Sequence, residues 1–472
     1  RHVAPSAASS AAAVPAPASA RRGRSGSHGL PPKLKEGVAE APRSWADYLV
    51  QELDLRTSAE TRSDPANTAL VRNLVQTPFA LERFMFYGFF VSLDSLLFFF
   101  TFLPIRAALG AAHLARTCWW SCRRRRGAPR DPHKRAASLF AVLRLVAVLV
   151  VAWALTTLNL SRVYHYIRGQ TYIKLYVIFN MLDVFDRLLT SIGQDFTDAL
   201  YNRVRRRARG PCGVASIFLL VVAHTGLHAL LKFVQFITLN VAINSSNHSL
   251  LTLLLSNNFM EIKSNVFKRF DTNNLFQISC SDVVERLVLF LFLVLSAFQN
   301  VSLASKTSVA EFTAIAAVVW GVELLIDSVK HAFIIKFNRL DPVCYANFSS
   351  MLARDLTEHR RTKDNVDPPH AVTMRLGLPA MPLTVVILRI AYPLASRAWL
   401  QASLSGKLLW PSLVVAALFA FKTVLGTLLV SRALSPGPQG MLSPAQRASV
   451  PDNLAGLASV QRYQLHRNRV PL

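Results

Sequence analysis

The chain has 472 residues, 52% of them hydrophobic, and a formal net charge of +26. Its apolar residues are clustered in long runs and its mean hydropathy is +0.30, which excludes an ordinary soluble domain; the pattern predicts an all-α polytopic membrane protein of about 6–8 transmembrane or membrane-embedded helices. The positive charge sits in short blocks beside apolar runs, where the positive-inside rule accounts for it, and no nucleic-acid fold accompanies it.

Residues 1–43 are rich in Ala, Pro, Ser and Arg and are expected to be disordered. They lack the compact leucine-rich core of a cleaved secretory signal, so the first transmembrane segment is expected to direct insertion. A single membrane domain is expected over 44–432, opening with a short amphipathic helix around Trp45–Leu55. The tail 433–472, with SPGPQGMLSPAQ, again reads as disordered. Runs able to cross a bilayer of about 30 Å lie near Phe84–Leu103, Leu139–Leu160, Val214–Ile243, Val283–Ala304, Val309–Ile335, Leu383–Leu394 and Leu408–Val430. Val214–Ile243 is either one long tilted span with a partial re-entry at Leu250–Leu255, or two short helices. Asp94, among phenylalanines in the first run, needs a cationic partner, with Arg106 or an arginine of a neighbouring helix as the candidate.

The basic blocks Arg123–Arg135 and Arg203–Arg209 are expected to share the cytosolic face. The chain then crosses an even number of times between them, as a hairpin of Leu139–Leu160 with Thr171–Ile192, unless the second helix stays in the interface. The five cysteines are too scattered for a disulfide framework. Cys118 and Cys122, just before the arginine block, are candidate palmitoylation sites.

Between Ile167 and Leu200 the chain is apolar yet carries a regular polar stripe. At about 100° per residue, Leu175, Ile178, Leu182, Phe185, Leu189 and Phe196 share one face of a helix. Tyr176, Asn180, Asp183, Arg187, Gln194 and Asp198 share the other, with Asp183 and Arg187 spaced to pair. Inside the longest apolar run His224, His228 and Lys232 repeat at i,i+4, and Glu323, Asp327 and His331 form a matching stripe. Ionisable groups at membrane depth are costly, so the two stripes are expected to pack against each other as helix-to-helix glue. The same residues admit a zinc site built on the HxxxH pair, or an ion path. No GxSxG, P-loop or HExxH signature is present, so the sequence shows no enzyme motif and no catalytic, cofactor or metal site is assigned. A second two-faced segment, Asn257–Phe270, groups Phe259, Ile262, Val266 and Phe270 and turns Glu261, Lys268 and Arg269 away. It reads as a membrane-surface or partner-docking element. Sequons at Asn159, Asn244, Asn247, Asn300 and Asn347 lie beside or within spans, where full glycosylation is not expected.

Four strings in order, LDSLLFFFTFLPIRA (Leu93–Ala107), SLLTLLLSNNFMEIKSNVFKRFDTNNLFQ (Ser249–Gln277), DSVKHAFIIKFN (Asp327–Asn338) and LPAMPL (Leu378–Leu383), carry a resemblance. Together with the two-faced helix they resemble the transmembrane anterior posterior transformation protein family, also called the cytomegalovirus receptor-like family, over about Trp45–Val430. The extra arginines at Arg123–Arg126 and Arg205–Arg207 depart from the family pattern. The resemblance implies a multi-pass protein of the endoplasmic reticulum membrane without established enzymatic chemistry or cofactor. It links animal members to primary cilium formation, the centrosome or basal body, and axial skeletal patterning. It links fungal and plant relatives to protein folding, with a SUN-domain-like glycoprotein or a calreticulin-type chaperone system as partner. The expected role is therefore a non-catalytic scaffold or assembly factor, with the lipid bilayer and protein partners as its contacts and no nucleic acid. The competing role is a transporter, channel or lipid-handling protein in which the two intramembrane stripes line a path.

Overall fold

The computed structural model describes residues 44–53, 65–123, 132–206, 210–244, 249–302, 309–361, 368–401 and 404–434. Both tails expected to be disordered, the sequon Asn247 and most of the first arginine block lie outside these residues. The chain divides into a unit of residues 1–64 and a unit of residues 65–472. The first contributes one described helix, α1 (Trp45–Leu53), whose Ala46 amide donates to the Ser44 hydroxyl at 3.4 Å. That is an N-cap contact, which supplies one of the acceptors a helix start lacks.

The second unit is entirely helical among its described residues. Its helices are α2 (Pro65–Phe100), α3 (Phe102–Arg123), α4 (Pro132–Thr156), α5 (Leu160–Arg168), α6 (Tyr172–Arg206), α7 (Gly210–Ile243), α8 (Ser249–Val266), α9 (Thr272–Ser302), α10 (Val309–Asn338), α11 (Cys344–Arg361), α12 (Pro368–Leu376), α13 (Ala380–Gln401) and α14 (Leu404–Leu434). By length and composition, five segments among the described residues can cross a membrane: Leu70–Thr117, His133–Thr156, Gly213–Ile243, Val309–Asn338 and Pro411–Leu434. Val283–Ala304, expected as a span, falls in α9, outside these five; the first turns of that helix carry Asp282, Glu285 and Arg286. Val214–Ile243 forms one continuous helix of 34 residues with its flanks, about 51 Å long at 1.5 Å per residue, which exceeds the hydrocarbon thickness and requires tilt or protrusion. The expected re-entry at Leu250–Leu255 is the start of α8. The last two apolar runs form separate helices; α14 contains a candidate span, whereas the apolar part of α13, Ala380–Pro393, is shorter.

Helix α2 is the hub of the body, packing against α9, α10, α11, α12 and α14, while α3 lies along α4 and α6 along α7. At the hub Phe84, Phe276, Tyr345 and Phe348 are buried together, with the Phe276 and Phe348 rings 4.9 Å apart and Phe84 edge-on to Phe348 at 5.8 Å. Such contacts add to area burial through ring quadrupoles. The closest approaches need glycine. A Cβ on Gly193 of α6 would stand 2.4 Å from Cε1 of His224 on α7, and one on Gly110 of α3 would stand 2.9 Å from the Ser138 carbonyl oxygen on α4.

Polar contacts finish the joints. Arg389 of α13 donates to the carbonyls of Leu155 (2.9 Å) and Leu158 (2.7 Å), tying α13 to the end of α4 and the turn that follows it. Between α7 and α9 an amide ladder runs from Ser296 to Asn240 (2.5 Å), from Asn240 to Gln299 (3.1 Å) and from Asn300 to Asn244 (3.0 Å). Two sequon asparagines are thereby engaged between helices. Asn347 is buried, and Asn159 caps α5 by accepting from the Ser161 amide at 3.2 Å. Asp94 pairs with Lys422 of α14. Arg106 sits over the Phe98 ring, 5.8 Å from its centroid.

Burial pushes the Cys344 thiol up from its usual value, and Cys280 is buried as well. Thiolate is the reactive form. Both should resist maleimide at neutral pH in folded protein and react once it is denatured; mass spectrometry showing either labelled within minutes on native protein would contradict this packing.

Candidate functional site

Helix α6 does not divide cleanly into the two faces the sequence predicts. Of the expected apolar face Ile178 and Phe185 are exposed, Leu182, Leu189 and Phe196 are half-buried and Leu175 is buried. Of the polar stripe, Arg187 is exposed yet pairs with Asp183 on its own helix at 3.3 Å and with Glu285 of α9 at 3.3 Å, and Gln194 donates to the Thr373 carbonyl at 3.3 Å. Tyr176, Asn180 and Asp198 are half-buried on the same stripe.

The stripe on α7 also meets α6. His228 contacts Asp186 Oδ1 at 2.8 Å and the Lys232 ammonium donates to Asp186 Oδ2 at 2.8 Å. His224 Nε2 reaches the Leu189 carbonyl at 2.8 Å. Among the described residues the contacts of His228 and Lys232 are with Asp186, while Asp327, their expected partner, is bonded to Arg286 and Lys330. Asp186, one turn after Leu182 of the expected apolar face and adjacent to Arg187, takes the place of the expected acids because α6 lies beside α7.

Asp327 belongs to a different network. The Arg286 guanidinium on α9 donates to Asp327 Oδ2 at 2.8 Å and to both carboxylate oxygens of Glu82 on α2 at 2.9 and 3.0 Å. The Lys330 ammonium, wholly buried on α10, stands 2.8 Å from Asp282, 3.1 Å from Asp327 and 3.2 Å from Glu261. His331 lies between Asp282 Oδ2 (2.7 Å to Nε2) and the Tyr345 hydroxyl (2.8 Å to Nδ1). The carboxylate only accepts, so Nε2 carries a proton, and a neutral ring then accepts the Tyr345 hydroxyl at Nδ1. Burial pushes the Tyr345 phenol up, which keeps it protonated as that donor. Glu323 is half-buried one turn before Asp327.

Glu82, Asp186, Asp282, Glu285, Arg286 and Tyr345 are functional-site members that the sequence pattern does not single out. For Asp282, Glu285 and Arg286 the signal was present as charges at i,i+3,i+4 opening an apolar run.

The segment Asn257–Phe270 is only partly as expected. Helix α8 stops at Val266, so Phe270 is not on its face. Phe259 is exposed, Val266 is buried, and Lys268 and Arg269 are exposed. Glu261 points inward to Lys330, contrary to the expected outward position. Asn338 at the end of α10 clamps the turn, accepting from the Phe270 amide at 2.7 Å and donating to the Lys268 carbonyl at 3.3 Å.

A cavity of about 160 Å³ lies between α6, α7 and α9. Asp186, Arg187, Lys232, Ser281 and Glu285 form its polar wall, and Phe179, Leu239, Val288 and Phe292 its apolar wall. The close α6–α7 approach at Gly193 and His224 lies at a second cavity. Gly193→Ala should displace the His224 ring and lower the thermal midpoint, whereas an unchanged midpoint and an unchanged His224 environment by NMR would contradict the approach.

Residues 134–436 match the model of a family described as a eukaryotic membrane protein family. The chain is 39% identical over 325 residues to the mouse protein named transmembrane anterior posterior transformation protein 1, covering 68% of this chain and 57% of that one. A Dictyostelium discoideum protein named as a homologue of it is 37% identical over 368 residues, covering 74% of this chain and 43% of its own. Schizosaccharomyces pombe endoplasmic reticulum membrane protein 65 is 34% identical over 379 residues, covering 76% and 58%. The chain spans about half the length of the curated relatives it matches. No solved structure matches it. The all-helical body, its membrane-crossing segments and these matches together place the chain in the eukaryotic membrane protein family that includes the transmembrane anterior posterior transformation proteins.

Proposed function

We propose that the chain is a non-catalytic multi-pass scaffold or assembly factor of the endoplasmic reticulum membrane that supports protein folding or trafficking. The observation that carries this reading is the way charges close on one another: Asp186 with Lys232, Arg286 with Glu82 and Asp327, and Lys330 with Asp282 each join different helices. Groups consumed in holding helices together are not held ready for chemistry. The location is supported by the fission yeast relative, named for that membrane. A role in primary cilium formation and axial skeletal patterning, at the centrosome or basal body, extends the reading, in line with the anterior posterior transformation in the name of the mouse relative.

The partner is a protein, of the SUN-domain-like or chaperone class, and it docks at the turn after α8. There Phe259 and Phe267 are exposed beside Lys268 and Arg269, while Asn338 fixes the backbone. Proximity labelling in the native membrane, followed by purification of the intact complex, tests this. Phe259→Ser with Phe267→Ser should release the partner at unchanged expression and insertion; Lys268→Glu with Arg269→Glu should weaken it in a salt-sensitive way. Retention of every partner by both variants would remove the docking role. A second reading, lipid or solute handling, is favoured by the cavity, which combines a charged and an apolar wall. Substrate flux in proteoliposomes containing the purified chain alone would favour it over the scaffold.

A further inference from the structure

The geometry points to a binding site for a hard divalent cation at Glu261 of α8 and Asp282 and Glu285 of α9. One oxygen from each carboxylate lies within 4.8 Å of the others. Calcium–oxygen bonds are about 2.4 Å, so two ligands on opposite sides of one ion stand about 4.8 Å apart, and the three carboxylates can share an ion without backbone movement. Every donor is a carboxylate oxygen, and the Ser281 hydroxyl donates to Glu285 at 2.8 Å. That donor set suits calcium, magnesium or manganese over the softer metals.

Two further observations bear on it. Asp282 is 1% exposed, and although its Oδ2 is taken by Lys330 and His331, its Oδ1 receives no hydrogen bond from the described residues. A buried carboxylate oxygen without a donor is an acceptor waiting for a ligand. The charge balance agrees: among the described residues Glu82, Asp183, Glu261, Asp282, Glu285 and Asp327 pair with Arg187, Arg286, Lys330 and the imidazole of His331. The ammonium of Lys330 has three protons and three carboxylate partners, so it has none left for Asp282 Oδ1. Access is provided by the cavity, whose wall includes Glu285 and Ser281.

The test uses the whole chain purified in detergent and stripped with chelator, titrated with Mn²⁺ and read by electron paramagnetic resonance of the free ion. The parent should sequester Mn²⁺, with Ca²⁺ or Mg²⁺ competing, and the better competitor names the preferred ion. Glu285→Gln should weaken binding about tenfold or more by removing one ligand charge, at unchanged elution volume. Should that variant aggregate, Glu285→Asp, which withdraws the carboxylate by one methylene, should show the same direction. A parent that leaves free Mn²⁺ undiminished at millimolar metal overturns the site, and so does a folded Glu285 variant that binds as the parent does.

Discussion

Lys330→Met should remove most of the folded protein. The ammonium is fully buried and holds Asp282, Asp327 and Glu261 from three helices. Taking it away leaves carboxylates facing one another in a low dielectric, and breaking a buried pair from one side costs about 3–5 kcal/mol. Methionine keeps the volume, so the loss reports the charge and not a cavity. The yield of monodisperse protein and the thermal midpoint in detergent measure it. A variant as stable as the parent would mean the network is solvated or neutral, contrary to its burial.

Arg286→Lys should be nearly as damaging as Arg286→Ala, each costing about 2–4 kcal/mol. Arginine uses a planar fork, giving both Nη atoms to Glu82 and Nε to Asp327. Lysine presents a point charge on a shorter reach and cannot span two carboxylates on different helices with that geometry. Most of the cost comes from Asp327, which is buried, since the Glu82 side chain is 43% exposed and screened. The same thermal measurement serves, and full rescue by lysine would show that charge alone, without the fork, holds α2 to α10.

Much of this architecture was legible in the sequence. Long apolar runs announced the helices, and the i,i+4 spacing of His224, His228 and Lys232 announced an intramembrane polar stripe. Partner choice was not legible, because the Glu323–Asp327 stripe has the same spacing as the acids that α7 needs, and spacing carries no information about which helix lies alongside. Asp186 wins that pairing through the packing of α6 on α7. Asp282 was hidden by treating the apolar run as beginning at Val283, and Glu285 and Arg286 by reading the run that contains them as a plain apolar span. The orientation of α6 was not legible either: Leu175 of its expected apolar face is buried while Ile178 and Phe185 are exposed, and Asp186 beside that face turns to α7. Glu261 was misplaced because the helical spacing was carried to Phe270, past the end of α8 at Val266. An exposed Gly-free turn pinned by Asn338 leaves no periodic signal.

The central claim is that intramembrane charges pair across helices to hold the body together, and the Asp186–Lys232 contact between α6 and α7 tests it most directly. Lys232 is 4% exposed and bonded to Asp186 at 2.8 Å, so Asp186→Asn and Lys232→Met should each lower the thermal midpoint. Combined, the two should cost clearly less than their sum, with a coupling of about 0.5–3 kcal/mol, because no unpaired charge remains. Strict additivity of the two changes, or single variants as stable as the parent, would contradict the account.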